Sequence, residues 1–289
     1  MRYDIAIIGS GPAGLSSAID AKIRNKDIII FGNKELSNKV ALAPSIENYL
    51  GIPNTNGKDI IEKFKNHIDE LDIQITSERV NAVYAMGDYF AVMSGDKMYE
   101  SKTVILATGV EFTKPLKGEV ELLGRGVGYC ASCDAMLYRD KKVAVIGYNH
   151  EAMEDANFLT EIASKVYFIP MKKIEGELNS NVELLDDKAV EIVKEENELK
   201  VVMRNSDILV DGVFVIKDSI SPAHLVPGLE VDGVHIKNNK NLETNIPGLF
   251  VAGDCSGKPY KYVKSAGEGQ IASFMAVEYL NKMNKDLNK

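Results

Sequence analysis

Cys130-Ala-Ser-Cys133-Asp134 holds the densest chemistry of the chain. Two thiols separated by two residues can close and open a disulfide. At a helix start such a pair has the lowered pKa that supplies thiolate near neutral pH, and exchange with an external disulfide then runs through a mixed disulfide. Half of a structural zinc site is the competing chemistry for Cys130 and Cys133. It needs two more ligands, and beyond Cys255 there are only His67, His150, His224 and His235, none in paired ligand spacing. Cys255, just after Gly253-Asp254, reads as a packed small residue, and no metal is expected.

The second chemistry is phosphate binding, written twice and intact once. Gly9-Ser-Gly11-Pro12-Ala13-Gly14 lies between an apolar strand, Tyr3 to Ile8, and a helical stretch to about Arg24; a second strand, Asp27 to Phe31, follows. In such a unit Gly9 permits the tight turn, Gly11 lets the backbone approach a pyrophosphate, and Gly14 lets helix pack on strand, with the helix N-terminus toward the phosphates. Asn33 stands where an acidic ribose ligand is usual and is the candidate for that contact. Two later strands end in small-residue turns, at Thr108-Gly109 and at Gly253-Asp254, the latter offering a carboxylate to polyol hydroxyls. Lys261 and Tyr262, ahead of a helix starting near Ser265, complete the candidate cofactor contacts.

The other copy of the turn reads Gly147-Tyr-Asn149-His-Glu-Ala152, between a strand at Lys142 to Ile146 and a helix expected over Glu151 to Ala163. Asn149 puts a side chain where a pyrophosphate would need glycine. Glu151, Glu154 and Asp155 already complement the positive end of the helix and would repel phosphate. The next strand, Lys165 to Ile169, leads into Pro170-Met171-Lys172-Lys173, whose lysines lack the planar fork of arginine. A divergent site that still binds a pyridine nucleotide weakly is the bland alternative.

To hold these groups the chain needs two domains, which 289 residues allow. The intact unit opens the chain and the Gly-Asp turn nearly closes it, so the first domain is discontinuous, with the second inserted. The expected fold is α/β: two Rossmann-like nucleotide-binding domains of the three-layer ββα type, residues 1–112 plus 246–289 and residues 113–245. Residues 182–216 read as short alternating strands, and Phe112-Thr-Lys-Pro115 and Asn245-Ile-Pro247 as hinges. A composition of 45% hydrophobic and 26% charged residues fits a globular protein. The net charge of -8 argues against a general nucleic-acid binder. With neither a signal-like start nor a long apolar run, the expected location is the cytoplasm, where a CxxC is catalytic or metal-binding rather than part of a disulfide framework.

Taken in order, GSGPAG, Ser45-Ile-Glu-Asn48-Tyr-Leu-Gly51, Ala107-Thr-Gly109, Gly126-Val-Gly-Tyr-Cys130-Ala-Ser-Cys133-Asp134 and Gly253-Asp254 resemble the low-molecular-weight thioredoxin reductases over nearly the whole chain. The resemblance implies FAD on the first domain, a homodimer, and a CxxC on the inserted domain that alternates between flavin and thioredoxin. It further implies that Cys133 meets the isoalloxazine, that Cys130 attacks the disulfide of thioredoxin, and that Asp134 is their general acid or base. Asn48 would lie near the flavin ring and Asp254 on the ribityl chain.

The broken second turn is similar to one branch, the ferredoxin-dependent flavin thioredoxin reductases, which keep FAD and CxxC without NADPH. From a ferredoxin at about −400 mV to thioredoxin at about −270 mV the drop is roughly 130 mV, or about 6 kcal/mol for two electrons. An acidic ferredoxin would be steered by a basic patch, for which Lys258, Lys261 and Lys264 are the candidates. An oxygen-coupled flavin dithiol oxidase and a non-enzymatic FAD-binding redox sensor are the rival readings.

Overall fold

A computed structural model describes residues 2–95, 97–110, 113–217 and 222–287. The chain divides into two compact units, Met1–Val110 with Ser221–Lys289, and Glu111–Ile220.

The first unit begins with β1 (Arg2–Ile8), α1 (Pro12–Ile23) and β2 (Ile28–Phe31). Ile5, Ala6 and Ile7 are fully buried, as a parallel strand covered on both faces requires. Proline opens α1, where its fixed φ suits the first turn and its missing N–H costs nothing. α2 (Asn38–Ala41) and α3 (Gly57–Glu70) follow, the latter capped by Asn56, whose side chain accepts the Lys58 and Asp59 amides. Then come β3 (Ile75–Thr76), β4 (Val80–Ala85), β5 (Phe90–Ser94) and the long β6 (Lys97–Leu106). β6 pairs antiparallel with β5 along Lys97–Ser101 and parallel with β1 from Glu100 to Leu106. One strand thereby joins the β4–β5 hairpin to the parallel order β3-β2-β1-β6.

The second unit holds β7 (Val127–Gly128), α4 (Ala131–Asp134), a 3-10 turn at Ala135–Tyr138, β8 (Lys142–Gly147), α5 (Glu151–Leu159), β9 (Lys165–Pro170) and β10 (Val182–Leu184). The expected short strands follow as β11 (Ala189–Lys194), β12 (Leu199–Met203), β13 (Asp207–Val210) and β14 (Gly212–Ile216). A parallel sheet in the order β10-β9-β8-β14-β7 lies beside an antiparallel β11-β12-β13 sheet. Alternation along β8 shows why there are three layers: Val143 and Val145 join the α5 side, while Ala144 and Ile146 join the β11–β12 side. α5 is shorter than expected, because Thr160 turns back on Asn157 with both its amide and its hydroxyl.

The remaining elements are α6 (Pro222–Leu225), a β15 (Val231–Asp232)–β16 (His235–Ile236) hairpin, β17 (Leu249–Val251), which joins β6, and α7 (Tyr262–Leu287). The chain returns to the first unit at Ser221, not at 246. Bonds within this stretch explain the correction: Leu242 accepts the Val251 amide, Asn238 donates to Ser256 O, and His235 pairs with Tyr260 at 2.7 Å. Asn245, expected in a hinge, instead closes a local turn on Gly228 and Glu230. Of the other expected hinge, Phe112 lies outside the described residues.

Candidate active site

The intact glycine turn meets the C-terminal ends of β1, β6 and β17. At Gly9, φ is +123° and an added Cβ would sit 2.2 Å from Ala107 O; at Gly14 it would sit 1.8 Å from Gly9 O. These two glycines are demanded by the fold's own packing. Gly11 differs, since a Cβ there would meet no protein atom within 4 Å, and α1 has no side-chain cap over its first amides. That open space at Gly11 is what a pyrophosphate cradle requires. Gly109, at φ +70°, is equally open, and Thr108 beside it is half-buried.

Gly253, at φ +88°, brings its turn against Ala13. A cluster that the sequence reading missed fixes that turn: Glu268 accepts the Gly253 amide at 2.9 Å and the Ser256 hydroxyl at 2.7 Å. Lys264 donates to Gly253 O, Ser256 Oγ and Gly257 O and pairs with Glu268 at 3.1 Å. It is thus a structural clamp, and the expected docking set loses it; Lys258 and Lys261 remain exposed. Asp254 is half-buried and accepts from Ser265 Oγ at 3.4 Å. Tyr262 opens α7 and packs on the core.

Asn33 spends its side-chain oxygen on the Glu35 amide at 2.8 Å, so its Nδ2 is the group able to reach a ribose. Asn48 is exposed, in the loop that the Ile46–Thr55 bridge closes. Cys255 is fully buried, and desolvation pushes its thiol up, which keeps it protonated and inert.

In the second unit, Cys130 follows β7 after one residue, Tyr129, and directly precedes the one-turn α4. Its sulfur is in a disulfide and lies 3.4 Å from Ser132 Oγ; the side chain of Cys133 is outside the described residues. The Asp134 carboxyl lies over Gly128, where burial raises its pKa. Just past it, Met136 and Leu137 are 62% and 66% exposed.

The degraded turn is filled by its own residues. Asn149 Oδ1 accepts the Ala152 amide at 3.2 Å, taking a donor that a phosphate would otherwise receive. Gly147 survives for packing, since a Cβ would come within 2.8 Å of Phe168 and Ala152. Beyond β9 a pocket of about 510 Å³ is lined by Lys172, Lys173, Ile174 and Lys188, among others. Lys188 donates to Pro170 O there.

Against known proteins, residues 3–269 match the model of the pyridine nucleotide-disulphide oxidoreductase family. The chain is 31% identical to the thioredoxin reductase of Ureaplasma parvum, over 98% of each chain, and 29% identical to that of Bacillus subtilis, over 99% and 97%. Among solved structures it resembles a ferredoxin-flavin thioredoxin reductase from Clostridium acetobutylicum, with 55% identity, a TM-score of 0.91, and 97% and 99% of the two chains covered.

Proposed function

We propose that this chain, which belongs to the pyridine nucleotide-disulphide oxidoreductase family and within it to the thioredoxin reductases, draws its electrons from reduced ferredoxin rather than from a nicotinamide nucleotide. It is an oxidoreductase and a flavoprotein. The observation that carries the donor assignment is Asn149: its side chain takes the helix-start amide at the turn where a diffusible dinucleotide would bind, while the first turn keeps its amides uncapped. The relative at 55% identity, named for ferredoxin and flavin, supports the same reading.

FAD supplies the exchange between single electrons and the electron pair that a disulfide needs. In this chain the Gly9–Gly14 turn and α1 would hold its pyrophosphate, Asp254 its ribityl hydroxyls, and Asn33, Asn48, Thr108, Gly109, Lys261 and Tyr262 would line the rest. Two electrons and two protons convert the Cys130 disulfide with Cys133 to thiols. The Cys130 thiolate then attacks one sulfur of the thioredoxin disulfide and releases the other, and the Cys133 thiolate displaces reduced thioredoxin and restores the bond. Asp134, whose pKa burial raises, donates the proton that the leaving thiolate takes up.

We also place the protein in the cytoplasm as a homodimer. Among the described residues no helix is long and apolar enough to cross a membrane. Ile23, Ile271 and Phe274 are left exposed on α1 and α7, the surface assigned to pairing.

Anaerobic mixing of the oxidised flavoprotein with enzymatically reduced ferredoxin should bleach the flavin and, with thioredoxin present, produce thiols on it. NADPH and NADH should not bleach it on that timescale. The lysine-lined pocket beyond β9 favours one second reading, residual pyridine-nucleotide binding, and rapid bleaching by NADPH would establish that instead.

A further inference from the structure

At the C-terminal edge of the second unit's parallel sheet, where open α/β folds ordinarily place a ligand, this chain has built a buried ionic cluster. Glu119 is 1% exposed and Lys217 is 5% exposed. Lys217 Nζ donates to both carboxylate oxygens, at 2.7 and 3.0 Å, and stands 5.4 Å from the centre of the Tyr148 ring on the degraded turn. Tyr129 OH donates to Oε1 at 2.9 Å, and the Leu116 amide donates to Oε2 at 2.8 Å.

The chain positions of these donors matter more than their number. Leu116 stands near the start of the second unit, which opens at residue 111, and Lys217 near its end at residue 220. Tyr129 is bonded covalently to Cys130, and β7 before it is paired in register with β14, Val127 to Val213 and Gly128 to Phe214. The turn before Glu119 packs directly on β11: a Cβ on Gly118 would lie 1.9 Å from Ile192 O, and the Ile192 amide donates to Lys117 O at 2.8 Å. One carboxylate is thus the shared acceptor for groups near both ends of the second unit and for the residue beside the reactive sulfur.

The geometry points to Glu119, Tyr129 and Lys217 as a positioning network that ties the backbone at Cys130 to Leu116 and to the end of β14, so that the thiol is held in one place against the second unit's own core. None of the three touches the reacting atoms. Their effect on exchange passes through the backbone of Tyr129 and Cys130, and the inference rests on the reading of Cys130 as the exchanging thiol.

The test uses the FAD-loaded protein and two readouts, amide hydrogen exchange, which needs neither donor nor thioredoxin, and steady-state thioredoxin reduction. Tyr129→Phe removes one hydrogen bond and leaves the ion pair. It should speed exchange at residues 129–131 and lower kcat by about tenfold, the scale of a small misplacement, with KM for thioredoxin unchanged. Lys217→Met should raise exchange together at residues 113–119, 127–131 and 212–217. The double variant Glu119→Leu/Lys217→Met removes both charges, so its melting temperature should recover while kcat stays low. Full recovery of kcat along with melting temperature would overturn the proposal, as would a Tyr129→Phe protein with wild-type exchange and kcat. If another donor proves to drive the enzyme, the exchange results still decide the network.

Discussion

Burial sets Asp134 against the stability of its own fold. Its carboxyl is raised above the ordinary range by desolvation, so as pH rises the unfolded chain ionises first and binds fewer protons than the native one. Stability then falls through the window between the two pKa values and stays lower above it. Asp134→Asn should therefore melt higher at neutral pH, by an amount that partial solvent access keeps small, and thermal melts at acidic and neutral pH will read it. The same substitution should remove from the rate of thioredoxin reduction the fall that accompanies ionisation of Asp134. Cys130→Ser should abolish thiol formation on thioredoxin while the flavin still bleaches with its donor; rapid-mixing spectra separate the two. At this scale spacing was enough to find the glycines, Cys130 and Asn149. It could not reveal that Lys264 is a clamp, because its acceptors are mostly backbone carbonyls of a turn that sequence does not draw. Nor did pattern point to Glu119 and Lys217, which sit 98 positions apart.

Helices α1 and α7 approach so closely that one atom decides the contact. A Cβ on Gly269 would lie 2.2 Å from Ala13 O, and Ser17 Oγ already bridges Ala13 O and Gly269 O at 2.9 Å each. Gly269→Ala must push α7 off the helix that carries the phosphate turn. A loss of about 1–3 kcal/mol and weaker FAD retention, read by calorimetry and by released flavin fluorescence, are expected. Exposed Met136 and Leu137, just past Asp134, are the apolar surface that we propose meets thioredoxin. Leu137→Asp should raise KM for thioredoxin severalfold and leave donor-driven flavin bleaching intact. The strands were legible because parallel β-structure buried on both faces leaves unbroken apolar runs, as in β1 and β8. The end of α5 was not, because a threonine hydroxyl bond at Thr160 decides it.

For the molecule as a whole, the nested order of the domains could be read from where the two cofactor turns fall, but the point of return could not. Residues 222–245 carry no glycine signature, and their allegiance to the first unit comes from long-range bonds such as that of Asn238 to Ser256. Charge steering belongs at this scale too: Lys258→Gln/Lys261→Gln should slow ferredoxin-driven bleaching at low ionic strength, and added salt should erase the difference. Equal rates at low salt would remove the patch from consideration. Ile271→Asp should give a monomer by light scattering if α7 pairs two copies. The Asn149 side chain, finally, makes a nicotinamide site hard to rebuild by single steps on the proposed reading. Restoring glycine there removes the bond to the Ala152 amide, a loss of about a few tenths of a kcal/mol of helix-start stability, before any phosphate is held. The acidic residues of α5 and the ring of Tyr148 would still be in place, so no single substitution rebuilds a seat for phosphate there.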